Sequence, residues 1–216
     1  MKIRRIGISG LMGAGKTTCA GLFFDVLKRN EGDARLVDAD VEAKIVMRGD
    51  KTLQIKLAES FGESVMKGGE IAFSLLGSLA FSSMPKLLML NRIVHPLLLE
   101  RLKELIFSKG SGCVLCDAAL IPLWHIEEWF DALIWVHAPV EERYRRLVNK
   151  VQLTPDELTV RMELQQSLVS EPKKAPWDIL MNQGTLEELR PSVLSLYASM
   201  RERSVKVKGL SPSLKE

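Results

Sequence analysis

Gly10-Leu11-Met12-Gly13-Ala14-Gly15-Lys16-Thr17 follows the spacing G-x-x-x-x-G-K-[ST], in which a glycine-rich backbone cradles phosphate oxygens. Its surroundings fit a strand–loop–helix unit. Ile3 to Ser9 is a short apolar run that predicts a strand, and Thr18 to Arg29 predicts the helix that the loop opens. Such a helix directs its positive dipole end at the anion. Lys16 is expected to reach the β- and γ-phosphates, and the Thr17 hydroxyl to ligate Mg²⁺. Gly10, Met12, Gly13, Ala14, Gly15 and Thr18 complete the expected nucleotide-binding set. The other reading, a glycine-rich turn that binds nothing, leaves the Lys-Thr pair without a purpose.

The chain has 216 residues, 46% hydrophobic and 26% charged, enough apolar material for one packed domain without disulfides. The net charge of +3 is small and its Lys and Arg are scattered, so nucleic acid is not an expected partner. Cys113 and Cys116 have C-x-x-C spacing but lie in an apolar run, where residues three apart on a strand point to opposite faces. They read as core. The N-terminus runs directly into the first strand, and no uncharged apolar run reaches the roughly 18 residues of a membrane span. A cytoplasmic protein with no membrane partner is the expectation, monomeric or weakly self-associating.

Further short strands are expected at Arg35–Val37, Cys113–Cys116, Ala132–Val136 and Asp178–Met181, separated by helices. That alternation predicts an α/β fold with a parallel sheet covered on both faces. Ligands of such sheets sit at the carboxyl ends of the strands, where Asp38, Asp40 and Asp117 fall. Residues 41 to about 110 are too long for a simple crossover and read as an inserted helical subdomain for a second substrate. Within them Pro96 marks a kink or a new helix start. Gly110-Ser111-Gly112 reads as a turn and Ser170 to Pro176 as a loop. Thr154-Pro155-Asp156-Glu157 reads as a helix start. A last helix is expected from Thr185 to Glu202, and a frayed tail from Lys206.

Asp38-Ala39-Asp40 closes the second strand. Residues two apart share a face, so both carboxylates are expected in the cleft. One would orient the Mg²⁺ shell, and the other would accept the proton of an attacking hydroxyl. The alternative is a turn with a helix cap. His95 precedes a proline, which favours extended backbone. It is expected at a helix break, either contacting a substrate or filling a kink. Arg143, Arg145 and Arg146 share a predicted helix, and Arg161 lies on the next. Arginines flanking a mobile segment suggest a lid that neutralises transition-state charge, although Arg143 reads as part of a solvated face. Gln152 stands where the guanine-recognition sequence N-K-x-D has its Asp, which argues against a GTPase. His125 and His137 lack Cys/His partners at zinc-ligand spacing.

In their order along the chain these pieces resemble the dephospho-CoA kinase family. The matching stretches are the glycine loop, Val37-Asp38-Ala39-Asp40-Val41-Glu42-Ala43-Lys44, Phe61-Gly62 and Ile93-Val94-His95-Pro96. Asp117-Ala118-Ala119-Leu120-Ile121 follows, then Ala138-Pro139 to Arg146-Leu147-Val148-Asn149-Lys150. Arg161-Met162-Glu163-Leu164-Gln165 and Asn182-Gln183-Gly184 close the series. The resemblance covers about residues 3 to 200. It departs in four places: Leu11-Met12-Gly13-Ala14 stands for the family's second glycine-rich pair, Gly69 to Leu76 lacks the family's Arg, Lys150 stands for the second lid Arg, and the segment after Asp117 lacks its proline, Pro122 coming later.

The resemblance implies a three-layer P-loop kinase fold with a five-stranded parallel sheet. It implies one domain over residues 1–205, an acceptor subdomain at about 41–110, a helical lid at about 150–176 and a flexible tail at 206–216. It implies transfer of the ATP γ-phosphate, with Mg²⁺, to the ribose 3′-hydroxyl of dephospho-CoA. The implied catalytic residues are Asp40 as base, Lys16, Arg146 and Arg161. Arg146 and Asn182 would join the loop in holding ATP, and Thr17 and Asp38 would hold the metal. Asp38, Asp40, His95, Asp117, Ala119, Leu120 and Arg161 would face dephospho-CoA. Another small-molecule kinase, or a nucleotide-binding regulator, remains the alternative from residues alone.

Overall fold

The apolar run before the glycine loop forms β1 (Arg5–Ser9), from which the chain enters α1 (Lys16–Glu31) and β2 (Ala34–Asp38). The computed structural model describes residues 3–108, 112–172 and 176–209, with side chains up to 203. After β2 come α2 (Ala39–Gly49) and α3 (Lys51–Phe61), then a hairpin of β3 (Met66–Lys67) and β4 (Glu70–Ile71). Next are α4 (Phe73–Ala80), α5 (Met84–Phe107), β5 (Cys113–Asp117) and α6 (Ile121–Trp124). The chain ends with β6 (Ala132–His137), α7 (Val140–Leu147), α8 (Pro155–Leu168), β7 (Trp177–Met181) and α9 (Leu186–Gly209). Contacts divide it into two units. The first holds the residues up to Leu36, those between 112 and Arg143, and those from Glu171 on; the second holds Val37–Ser108 and Tyr144–Ser170.

The first unit is built on a five-stranded parallel sheet of order β2-β5-β1-β6-β7. Alternation of side chains along each strand sends Ile6, Ile8, Cys113, Leu115, Ile134, Val136 and Leu180 to one face. There they pack against Cys19, Ala20, Phe23 and Leu27 of α1 and Leu189, Val193, Tyr197 and Met200 of α9. Burial of each large apolar side chain in this cluster contributes about 1.5–3 kcal/mol. On the opposite face the sheet is crowded at Gly7. A β-carbon there would lie 2.9 Å from Leu133 Cδ2, 3.0 Å from Ile121 Cδ1 and 3.1 Å from Phe130 Cδ2. Cys113 and Cys116 are buried in β5.

The second unit packs α2, α3 and α4 against the long α5. Its helices are tied at their ends by side chains that satisfy orphan backbone amides and carbonyls. Asp50 Oδ1 accepts from Leu53 N at 2.7 Å to start α3. Buried Gln54 donates to the carbonyls of Met47 and Arg48 at the end of α2. Arg101 of α5 meets Glu42 of α2 at 3.0 Å. The second unit also holds α8, which begins with the reciprocal capping box of Thr154 and Glu157 and has Pro155 in its first turn. Among the described residues no helix is long and apolar enough to cross a membrane.

Three expectations are corrected and one is refined. The first strand begins at Arg5 rather than Ile3, the second ends at Asp38, and Ala39 is already helical. The inserted region is mostly helical as expected, with one short hairpin: Gly68 and Gly69 both take positive φ and close the β3–β4 turn. α5 runs unbroken through Pro96, so His95 is helical rather than extended at a break. Leu87, Val94, Leu98, Leu102 and Ile106 form one buried stripe on both sides of the proline. Burial of that stripe outweighs the lost backbone hydrogen bond and the pre-proline preference. The last helix continues to Gly209, past Lys206. Lys109 at the end of the inserted region, Gly110 and Ser111 of the expected turn, Lys173 to Ala175 of the expected loop and residues 210–216 lie outside the described residues.

The crowding at Gly7 yields a stability test. Gly7→Val is expected to destabilise the fold by about 1–3 kcal/mol through overpacking. Urea unfolding should show a lower midpoint at an unchanged slope. An unchanged midpoint would mean that the Leu133, Ile121 and Phe130 side chains yield at no cost.

Candidate active site

The glycine loop joins β1 to α1 in a space with no room for side chains at one point. A β-carbon on Gly10 would sit 2.5 Å from the carbonyl oxygen of Val136 in β6, and its φ is +150°. Glycine is required there by both contact and conformation. Ala14 N bonds to Leu11 O at 3.0 Å, and Cys19 N bonds to Gly15 O at 3.0 Å as the first turn of α1 closes. Lys16 and Thr17 are the first two residues of α1, where unsatisfied amides and the helix dipole favour an anion.

The register of β1 against β5 pairs Ile8 with Asp117. The last residue of β5 thereby arrives beside the loop. Thr17 Oγ1 donates to Asp117 Oδ2 at 2.8 Å, and Asp117 is 6% exposed. Ser9 Oγ donates to Ala119 O at 2.9 Å, and Ala118 N to Ile8 O at 3.0 Å. These two bonds tether the half-buried turn that carries Ala119 and Leu120. A hydroxyl and a carboxylate in contact form a hard-oxygen donor set. Mg²⁺ uses such a set, keeping its remaining positions for water and phosphate rather than for a protein cage. No group of three or more His, Cys, Asp or Glu side chains suited to a metal occurs among the described residues.

Two side chains meet carbonyls of the loop. Asn182, just past β7, is 7% exposed and donates through Nδ2 to Ala14 O at 2.7 Å. Its own N–H donates to His137 O at 2.8 Å. Arg143 Nη1 reaches Met12 O at 3.4 Å. Arg143 corrects a sequence expectation: it is 3% exposed rather than part of a solvated face. Burial lowers its pKa, while the fields of Glu141 and Glu171 raise it in partial compensation. The sequence carries no signal for this contact, because Met12 and Arg143 are 131 positions apart. Near it, His137 Nδ1 and Glu171 Oε2 lie 2.8 Å apart.

Asp38, Asp40, His95, Arg146 and Arg161 belong to the second unit. Asp38 does not share a strand face with Asp40, because the helix starts between them. Its Oδ1 instead accepts from Asp40 N at 2.9 Å and Val41 N at 3.1 Å, capping α2. Asp40 is exposed in the first helical turn. Arg161 of α8 lies over the Phe81 ring, with its Cζ 4.9 Å from the centroid. Burial lowers its pKa, and Glu157 partly offsets this. Arg146 is half-buried on α7, and Thr18 is exposed on α1. His95 lies mid-helix in α5, where burial pushes its pKa down from 6.5 to about 4. At neutral pH it is an uncharged imidazole.

A family model for dephospho-CoA kinase matches residues 4–188. The chain belongs to the dephospho-CoA kinase family. The Bacillus licheniformis dephospho-CoA kinase is 34% identical over 188 residues, 85% of this chain and 90% of that protein. The Corynebacterium glutamicum dephospho-CoA kinase is 32% identical over 205 residues, 92% of this chain and 98% of that protein. A crystal structure from Thermus thermophilus superimposes with a TM-score of 0.68 at 28% identity, covering 92% of this chain and 98% of that one. The Campylobacter jejuni dephospho-CoA kinase has a TM-score of 0.57 at 15% identity, covering 93% and 98%. At that identity the likeness concerns the fold alone. The matched residues of this kinase include the loop, Asp38, Asp40, His95, Asp117, Arg146, Arg161 and Asn182.

The half-buried imidazole of His95 sets a pH dependence. Its folded pKa lies below the unfolded value of 6.5, so between pH 6.5 and about 4 the unfolded chain binds more protons. Stability from this group is present above pH 6.5 and falls as the pH drops toward 4, by at most about 1.4 kcal/mol per pH unit. An NMR titration should place the His95 ring near pH 4. A midpoint near 6.5 would show that the ring is solvated.

Proposed function

We propose that the kinase transfers the γ-phosphate of ATP to the 3′-hydroxyl of the ribose of dephospho-CoA, giving coenzyme A and ADP. The observation that carries the reading is the family match from residue 4 to 188, which spans the glycine loop, Asp40, His95 and α8. The loop amides, the α1 N-terminus and Lys16 hold the β- and γ-phosphates. Thr17 and Asp117 would hold Mg²⁺, which when bound would neutralise phosphate charge. Their 2.8 Å contact supports moving the metal-side carboxylate from Asp38 to Asp117. Asp38 acts through its cap, which fixes the first turn of α2 and so the position of Asp40.

Asp40 accepts the proton of the attacking hydroxyl. Its exposure at the start of α2 suits a group that must meet a substrate. Arg146 and Arg161 neutralise charge that develops on the transferred phosphoryl group. His95, uncharged at neutral pH, contributes a hydrogen-bonding ring to the acceptor side rather than a counter-charge. The segments Val37–Ser108 and Tyr144–Ser170 serve as the acceptor subdomain and lid, and closing them on the substrates excludes water. Asn182 secures the loop that receives ATP.

Turnover with dephospho-CoA, adenosine and AMP as separate acceptors tests the reaction. Phosphorylation of dephospho-CoA with the highest kcat/KM is expected, and preference for AMP would overturn it. Asp40→Asn is expected to lower kcat by about 10²-fold or more while ATP binding is retained. Near-normal turnover would place the base elsewhere.

A further inference from the structure

Arg143 is a buried cation that the reaction scheme above does not use. It is 3% exposed, whereas Arg145, two residues on in the same helix, faces water. Isolated burial of a charge is strongly unfavourable, and an apolar residue of similar length fills such a space at less cost. A guanidinium there therefore calls for a reason beyond packing. Its Nη1 points at Met12 O, 3.4 Å away, in the middle of the glycine loop. Two residues further on, Ala14 O is held by Asn182 Nδ2 at 2.7 Å. Two carbonyls of one anion-binding loop are thus drawn outward by side-chain donors.

The consequence follows from peptide geometry. A peptide plane carries its C=O and N–H in opposite directions. Drawing the Met12 and Ala14 carbonyls outward turns the amides of Gly13 and Gly15 the other way, toward the phosphate side. A carbonyl that rotated inward would put partial negative charge against the triphosphate. The Glu141 and Glu171 carboxylates stabilise the buried charge through their fields. The chain leaves the first unit immediately after Arg143 and re-enters the second at Tyr144, so the loop contact lies at the last residue before that passage. We propose that Arg143 is a positioning residue for the phosphate-binding loop, holding the Met12 carbonyl outward and so setting affinity for the nucleotide triphosphate.

Steady-state kinetics on Arg143→Met, Arg143→Gln and Arg143→Lys test this, with the unsubstituted protein assayed first on ATP and dephospho-CoA. Arg143→Met keeps an unbranched side chain but removes donor and charge. It should raise KM for ATP about tenfold, equivalent to 1.4 kcal/mol, with kcat within about threefold and KM for dephospho-CoA unchanged. Arg143→Gln is too short to reach Met12 O and should behave likewise; it decides the matter if the Met variant does not fold. Arg143→Lys keeps a cationic donor and should stay within about threefold of the unsubstituted KM for ATP. Unchanged KM for ATP in the Met or Gln variant, equal rises in both KM values, or a Lys variant as impaired as Gln would overturn the inference. Absence of turnover in the unsubstituted protein would instead overturn the reaction itself, on which this inference rests.

Discussion

The pairing of β1 with β5, Ile8 opposite Asp117, is the constraint on which the site depends. It brings the last residue of β5 level with the end of β1, where the glycine loop departs. A one-residue slip would turn every side chain of the strand to the other face. Asp117 would then lose Thr17, and Ile6 and Ile8 would lose the core under α1 and α9. The same register that buries the apolar face therefore also sets a carboxylate against the hydroxyl that opens α1. On the other side of β1, Ser9 pairs with Trp135, and the Val136 carbonyl leaves room only for glycine at position 10.

Around that core, the loop is organised by polar side chains as much as by its own glycines. Thr17 meets Asp117 from β5, Ala14 O is held by Asn182 after β7, and Met12 O is approached by Arg143 from α7. Each of these partners is less than a tenth exposed. In a medium of low dielectric such contacts are strong, and unmade ones are costly. The burial of the Arg143 guanidinium is offset in part by the fields of Glu141 and Glu171. We propose that this arrangement presets the loop before any anion arrives, so that binding needs little reorganisation.

Much of this was legible in residue order. The glycine loop, the five strands, the helix start at Thr154 and the family resemblance rest on local pattern, and local pattern is what a sequence displays. What was not legible depended on distance or on competition. Arg143 looked like a surface residue because its partner is 131 positions away. Asp38 and Asp40 looked like strand neighbours because the helix start between them turns on a cap that forms only at the strand's end. His95 looked like the edge of a break because proline preference is local, whereas the stripe from Leu87 to Ile106 that carries α5 through Pro96 is buried by other helices. The Gly68-Gly69 hairpin was the exception, since a glycine pair between short runs is a visible turn signal.

We propose that the β1–β5 register builds one Mg²⁺–triphosphate site from Thr17 and Asp117. The most direct test is calorimetric titration of ATP into the protein and into Asp117→Asn, each with Mg²⁺ and with EDTA. The account predicts that Mg²⁺ strengthens ATP binding by the unsubstituted protein and that this gain falls about tenfold or more in Asp117→Asn, while the EDTA affinities stay close. An Asp117→Asn protein that keeps the full Mg²⁺-dependent gain would contradict it.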